Sequence, residues 1–308
     1  MSPSNLLRRT AFIFAAACSS IIAEAQPLNP VVREGVTEKI SPHVYVIPDA
    51  SMPLVPNVGI IVGTRGTFVV DTGLGRKNGE AVVRELRQVS QTAELYLGTT
   101  HFHPEHDLGA MAFPRETQLL RSLDQQKDIQ EFGLELAKTF STRSPLTAAL
   151  LQDAEFRPAN LTFEREHTVD LGGVTVRAIA MGPNHTRGDT VYWVEPDRIL
   201  FSGDVVMKPQ PSFASPYSNI QHWLGSLDQL EKLSPQKLVP SHGPIGDSGL
   251  ITGYRSYLTT IKTRTAALKT AGKSVDEAVE TITNELQSTY TDRGRIAGAV
   301  RSVFKTSE

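Results

Sequence analysis

Thr100-His101-Phe102-His103-Pro104-Glu105-His106 follows the apolar, strand-like run Leu95-Tyr96-Leu97 and carries three imidazoles and a carboxylate. Three of the chain's eight histidines fall between His101 and His106, so a metal site explains the stretch better than a polar loop that happens to be rich in histidine. Imidazole nitrogen and carboxylate oxygen suit a borderline cation such as zinc. Spacings of two and then three residues in a turn let His101, His103 and His106 point inward together. Spacing alone does not name the metal.

Further along, three segments supply the ligand types such a cluster still needs, each at the end of a predicted strand beside glycine or proline. They are Gly182-Pro183-Asn184-His185-Thr186-Arg187-Gly188-Asp189-Thr190, Phe201-Ser202-Gly203-Asp204 and Val239-Pro240-Ser241-His242-Gly243-Pro244. A lone histidine at a strand end is more often structural than a ligand, and a lone Ser-Gly-Asp is more often a turn. Together and in order they form a pattern.

With these residues in place, the chain resembles the metallo-β-lactamase superfamily. That family's pattern is a His-x-His-x-Asp-His cluster, then a single His, a single Asp and a final His, with an early Asp-Thr-Gly, here Asp71-Thr72-Gly73. The resemblance runs from about Val44 to the end and does not specify a substrate. It implies a four-layer αββα sandwich and a zinc site of two ions. Carried over by position, His101, His103 and His185 hold the first ion, Glu105, His106 and His242 the second, and Asp204 bridges them. Asp71 and Thr72 are implied to fix a ligand histidine without touching metal. Glu105 departs from the family's aspartate by one methylene, so the second ion is expected either to bind more weakly or to be accommodated by the loop around Pro104.

Two such ions, about 3.5–4 Å apart, hold a water as hydroxide near neutral pH, and that hydroxide attacks an ester, lactone, thioester or amide carbonyl. Glu105 is expected to orient it and take its proton, with Asp204 as its catalytic companion. Other nucleophiles compete poorly. Ser202 and Ser241 lie near the motifs but outside any Gly-x-Ser-x-Gly elbow, and a serine beside a turn usually bonds backbone.

Residues 1–25 read as a secretory signal: Arg8 and Arg9, an apolar run Ala11–Ala17, and Ala23-Glu24-Ala25 before Gln26. The apolar run falls well short of the roughly 20 residues of a transmembrane helix. Arg8-Arg9 hints at twin-arginine export and Ala16-Ala17-Cys18 at a lipidated cysteine. The expected location is periplasmic or secreted, with no integral membrane association. The one cysteine, Cys18, leaves with the signal, so the domain from residue 26 to 308 must be held by its core and its metals instead of disulfides. That domain carries 29 basic and 32 acidic side chains, a formal charge of −3. With no basic run and no Gly-rich phosphate loop, binding of nucleic acid has nothing to rest on, and the expected partner is a small-molecule substrate.

Val44-Tyr45-Val46-Ile47, Gly59-Ile60-Ile61-Val62, Thr67-Phe68-Val69-Val70 and Leu95-Tyr96-Leu97 read as strands. A helix with Val82, Leu86 and Val89 on one face precedes the last of these. Leu171-Gly172-Gly173-Val174 and Glu195-Pro196-Asp197-Arg198 read as hairpin turns. Residues 114–155 read as a helical segment beside the cleft, with Leu119, Leu120, Leu123, Ile129, Phe132, Leu136 and Phe140 as core candidates. The Pro-rich run Lys208–Tyr217 offers Phe213 and Tyr217 as substrate contacts. Helices fill residues 248–308, with Gly272 ending one and Ser274 and Glu277 at capping-box spacing for the next. His43, His167 and His222 read as structural, His222 lying closest to the cleft.

Three functional readings follow. The first is an exported zinc hydrolase of a carbonyl substrate, β-lactams included. The second is a glyoxalase II-type thioesterase or an iron-dependent sulfur dioxygenase. The third is a non-catalytic accessory protein of a periplasmic oxidation system, against which seven intact candidate ligands argue.

Overall fold

The computed structural model describes residues 29–208 and 210–306. The expected export signal, with Arg8, Arg9 and Cys18, lies outside the described residues.

β1 (Glu38–Lys39), β2 (Val44–Ile47), β3 (Val58–Val62) and β4 (Gly66–Val70) form an antiparallel meander. α1 (Gly75–Val89) crosses over to β5 (Glu94–Gly98), which lies parallel to β4. A single turn, α2 (Pro104–Asp107), runs into a tighter turn at Leu108–Ala112 and then β6 (Gln118–Ser122), parallel to β5. Next come α3 (Leu123–Asp128), a π-helical turn at Ile129–Gly133, α4 (Leu134–Ser141) and α5 (Pro145–Leu150). β7 (Leu161–Phe163) completes a seven-stranded sheet in chain order.

The second sheet is an antiparallel run of β8 (Glu166–Asp170), β9 (Thr175–Ala180), β10 (Thr190–Glu195) and β11 (Ile199–Gly203). After α6 (Ile220–Leu233), β12 (Lys237–Pro240) joins it parallel to β11. α7 (Gly249–Thr270), α8 (Val275–Leu286) and α9 (Arg293–Thr306) end the described chain.

The period-two alternation of strand side chains shows how the layers stack. Phe68 and Val70 face the other sheet while Val69 faces α1, and Tyr192 and Val194 face inward while Val191 and Trp193 face the C-terminal helices. One core therefore lies between the sheets, and one lies outside each, under α1 and under α6–α9. This is the expected αββα sandwich. Both predicted hairpin turns are present, joining β8 to β9 and β10 to β11. Gly272 takes a positive φ just past α7, and Ser274 and Glu277 form a reciprocal capping box on α8.

The segment 114–155 corrects the sequence reading. Leu119 and Leu120 lie in β6, one facing the α1 layer and the other the inter-sheet core. Leu123 is exposed, and only Phe140 of the remaining candidates is fully buried; Ile129, Phe132 and Leu136 are half-buried. A strand buried on both faces shows no alternation, and two adjacent leucines among charges read equally well as helix.

Candidate metal centre

Parallel pairing brings loop ends together. β4 and β5 end on the same side of their sheet, as β11 and β12 do of theirs. Asp71 and Thr72 follow β4, the histidine cluster follows β5, Asp204 follows β11 and His242 follows β12, while His185 lies between β9 and β10. Gly203, at φ +57°, lets the strands approach: a Cβ there would stand 2.8 Å from the Thr100 Cβ.

The donor atoms of His101, His103 and His185 lie within 4.8 Å of one another, as do those of Glu105, His106 and His242, and those of His101, His106 and Asp204. The structure thus brings all seven predicted residues together, in the two expected groups, with Asp204 between them. The extra methylene of Glu105 does not carry its carboxylate out of the site, for Oε1 is 3.9 Å from His106 Nε2.

The outward nitrogen of four rings is already engaged. His106 Nδ1 donates to Asp71 Oδ2 at 2.9 Å, His185 Nδ1 to the Ser212 carbonyl at 2.6 Å and His242 Nδ1 to the Val55 carbonyl at 3.0 Å. The Thr100 hydroxyl spends its proton on Asp71 Oδ2 at 3.0 Å, so His101 Nδ1–H donates to that hydroxyl at 3.1 Å. Each bond occupies Nδ1 and leaves Nε2 facing the centre. His103 presents Nδ1 instead, 3.3 Å from His185 Nε2.

Buried atoms in this centre lack protein partners: His101 Nε2, His106 Nε2, Glu105 Oε2 and Asp204 Oδ1. Unpaired buried groups of this kind are costly, and four of them in neighbouring donor groups fit bound cations as their partners. Burial pushes His101 and His103 well below the usual imidazole range and lowers His185 too, so their lone pairs stay free. Burial also presses His106 down, but the Asp71 carboxylate outweighs it and lifts the ring to about 9. For Asp204 burial works upward, yet the surrounding histidines pull the carboxyl down to about 2, which keeps it an anion.

Asp71 lies at the hub. Its Oδ1 accepts the Thr100 N–H at 2.7 Å, while Oδ2 takes His106 and the hydroxyls of Thr100 and Ser241. Thr72 grips the His106 carbonyl with its N–H (3.0 Å) and its hydroxyl (2.8 Å). Both residues therefore bond to His106. Ser202 donates to the Val206 carbonyl, which is a structural role.

A cleft of about 980 Å³ opens above the centre, lined by Glu105, Asp204, His242, Leu54, Phe140 and Arg143 among others. Two predicted substrate contacts are corrected here. Ser212 and Ala214 line the cleft, but Phe213 between them packs on Trp223 at 5.0 Å, and Tyr217 lies under the Arg187 guanidinium at 4.4 Å. His222 bonds the Met181 carbonyl, and His43 pairs with Asp197.

Sequence reading missed the support behind the cluster. Asp107 receives Arg121 Nε at 2.9 Å and Nη2 at 2.6 Å, both side chains fully buried, with the Thr99 hydroxyl as a third donor at 2.8 Å. Asp189 does the same for the His185 loop, accepting the backbone N–H groups of Asn184 and Thr186. An aspartate directly after the cluster and another four residues after His185 were the available signals. Their partners lie in β6 and within the loop.

Residues 52–242, well over half of the chain, match the sequence family described as the metallo-beta-lactamase superfamily. The chain belongs to that superfamily and is a metal-dependent hydrolase. Among its relatives is the acyl-coenzyme A thioesterase MBLAC2 of Homo sapiens, 26% identical over 204 residues that cover 60% of this chain and 72% of that protein. Another is the linear primary-alkylsulfatase of a Pseudomonas species, 23% identical, with 72% of this chain matching 49% of the sulfatase. Solved structures show the same fold. A metallo-beta-lactamase from Pontibacter korlensis superposes with a TM-score of 0.56 at 22% identity over 72% of this chain and 98% of its own. The sec-alkylsulfatase Pisa1 from Pseudomonas sp. does so at 0.66 and 14% identity over 88% and 50%.

Proposed function

We propose that the protein is an exported zinc hydrolase that cleaves an ester, lactone, thioester or amide, β-lactams being one case. The observation that carries the reading is the paired donor groups with buried, partnerless atoms on the floor of an open cleft. His101, His103 and His185 would hold one ion, Glu105, His106 and His242 a second, with Asp204 shared. Bound there, zinc supplies Lewis acidity toward the carbonyl oxygen and a water acidic enough to ionise near neutral pH. The chain's own residues do the rest. Glu105 Oε2, buried and without a protein partner, orients the attacking water and takes its proton. Asp71 and Thr72 keep His106 from turning, and Leu54 and Phe140 give the cleft an apolar stretch of wall. The thioesterase among the relatives keeps thioesters among the candidates. Export rests on the sequence of residues 1–25; among the described residues no helix is long and apolar enough to cross a membrane.

Elemental analysis of the purified protein, beside turnover of a chromogenic β-lactam, a lactone and an aryl ester with and without chelator, tests this. Two zinc ions with chelator-sensitive turnover are expected. One iron would point to oxygen chemistry, and no metal with no turnover would sink the catalytic reading.

A further inference from the structure

Three elements bring positive charge to the cleft: Arg143 from the turn after α4, Lys208 from the loop after Asp204, and Arg295 from α9. Arg295 is neutralised locally, its Nε 3.0 Å from Asp292 Oδ2 and its Nη1 donating to the Gln210 carbonyl at 2.5 Å. Asp49, an acid that also lines the cleft, is spent on backbone. Its Oδ1 accepts the Ser51 N–H at 3.0 Å and its Oδ2 the Gly243 N–H at 2.7 Å.

Arg143 differs from both. Its guanidinium carbon sits 3.5 Å from the centroid of the Phe140 ring, and that buried ring lies 6.3 Å from the ring of His103. Among the described residues no carboxylate pairs with it. An arginine spread in solvent gains nothing from a fixed position, whereas one laid on an aromatic face is held in place with its N–H edge free. A positioned guanidinium without a counter-ion, one ring away from a candidate metal ligand, is suited to a carboxylate, sulfonate or phosphate through paired N–H bonds.

We propose that Arg143 binds an anionic group of the substrate remote from the scissile bond, so that substrate charge sets specificity. The inference rests on the hydrolase reading for its first test and not for its second.

In the zinc-loaded protein, hydrolysis of 4-nitrophenyl hydrogen glutarate is compared with that of 4-nitrophenyl pentanoate, a matched ester without the carboxylate. Arg143→Ala is expected to lower the ratio of kcat/KM for the two esters about 10–100-fold, the range for hydrogen bonds to a charged group. The change should appear mainly in KM, with Arg143→Lys recovering part of it. An unchanged ratio overturns the proposal, even if both rates fall.

The second test uses metal-free protein and two fluorescent probes with the same rings: anilinonaphthalene sulfonate, an anion, and the neutral N-phenylnaphthylamine. Arg143→Ala should reduce the preference for the anion at least about fivefold, as loss of one charge-assisted bond requires. If neither ester turns over, the hydrolase reading fails while this result still decides the anion site. An unchanged preference overturns the proposal.

Discussion

Replacing Arg121 with methionine tests whether the buried Asp107–Arg121 pair holds the ligand loop on the sheet. The substitution removes the Nε and Nη2 bonds to Asp107, at 2.9 and 2.6 Å, and the Nη1 bond to the Arg157 carbonyl at 2.6 Å. Asp107 keeps only the Thr99 hydroxyl. Stripping one partner from a fully buried ion pair costs about 3–5 kcal/mol, because a charge is left without compensation. A carbonyl deprived of its donor adds about 1 kcal/mol. The sum is a large share of the roughly 5–15 kcal/mol that holds a domain together. Urea unfolding of metal-free protein is the assay, run on Arg121→Met, on Arg121→Lys and on Asp107→Leu combined with Arg121→Met. The lysine variant keeps the charge without the fork and should fall between. The double variant should regain most of the loss, since an apolar pair leaves no buried charge. A cost below about 1.5 kcal/mol for Arg121→Met, or a double variant no more stable than the single, would refute the reasoning.

Asp71→Ala should weaken metal binding about 10–100-fold by freeing the His106 ring, measured by competition with a chelating dye; unchanged affinity would remove Asp71 from its orienting role. Gly79→Ala places a Cβ 2.0 Å from the Gly109 carbonyl oxygen, with no flexible side chain to yield. A loss of at least about 1–3 kcal/mol is expected by thermal denaturation, and a neutral result would mean that α1 can lift away cheaply. The carboxyl of Glu277 is held down at about 2, first by Lys273 and then by the Ser274 N–H and hydroxyl. A folded value below the unfolded one stabilises the protein above about pH 4.5, an effect lost as pH falls toward 2. Glu277→Gln should therefore be less stable than the parent at pH 7 and converge with it in acid; parallel curves across that range would contradict the assignment.

The four early strands were legible because Val44–Ile47 and its neighbours are short β-branched runs between glycine and proline, and the structure extends them by a residue at most on either side. Of the seven candidate ligands, His101, His103 and His106 were legible from their spacing, and His185, Asp204 and His242 from ordered motifs that, with Glu105 in the cluster, resemble the superfamily pattern. β6 was not, since Leu119 and Leu120 are each buried on a different face and leave no period to read. Phe213 and Tyr217 were misplaced for a related reason. A Pro-rich loop can be located beside a site from sequence, but which of its side chains turn inward depends on what lies behind them, here Trp223 and Arg187. The Asp107–Arg121 pair joins positions whose proximity only the fold creates.

Neither candidate ligand group is confined to one sheet. His101 and His103 come from the first sheet and His185 from the second, and Glu105 and His106 are likewise completed by His242. An ion in either place would stitch the two halves of the sandwich together across their shared edge, the service that a disulfide performs in many exported domains. It also sets an order of events in the life of the chain. Since His242 follows β12, the last strand described, a growing chain holds no complete second group until every described strand has been made, whereas the first group is complete at His185.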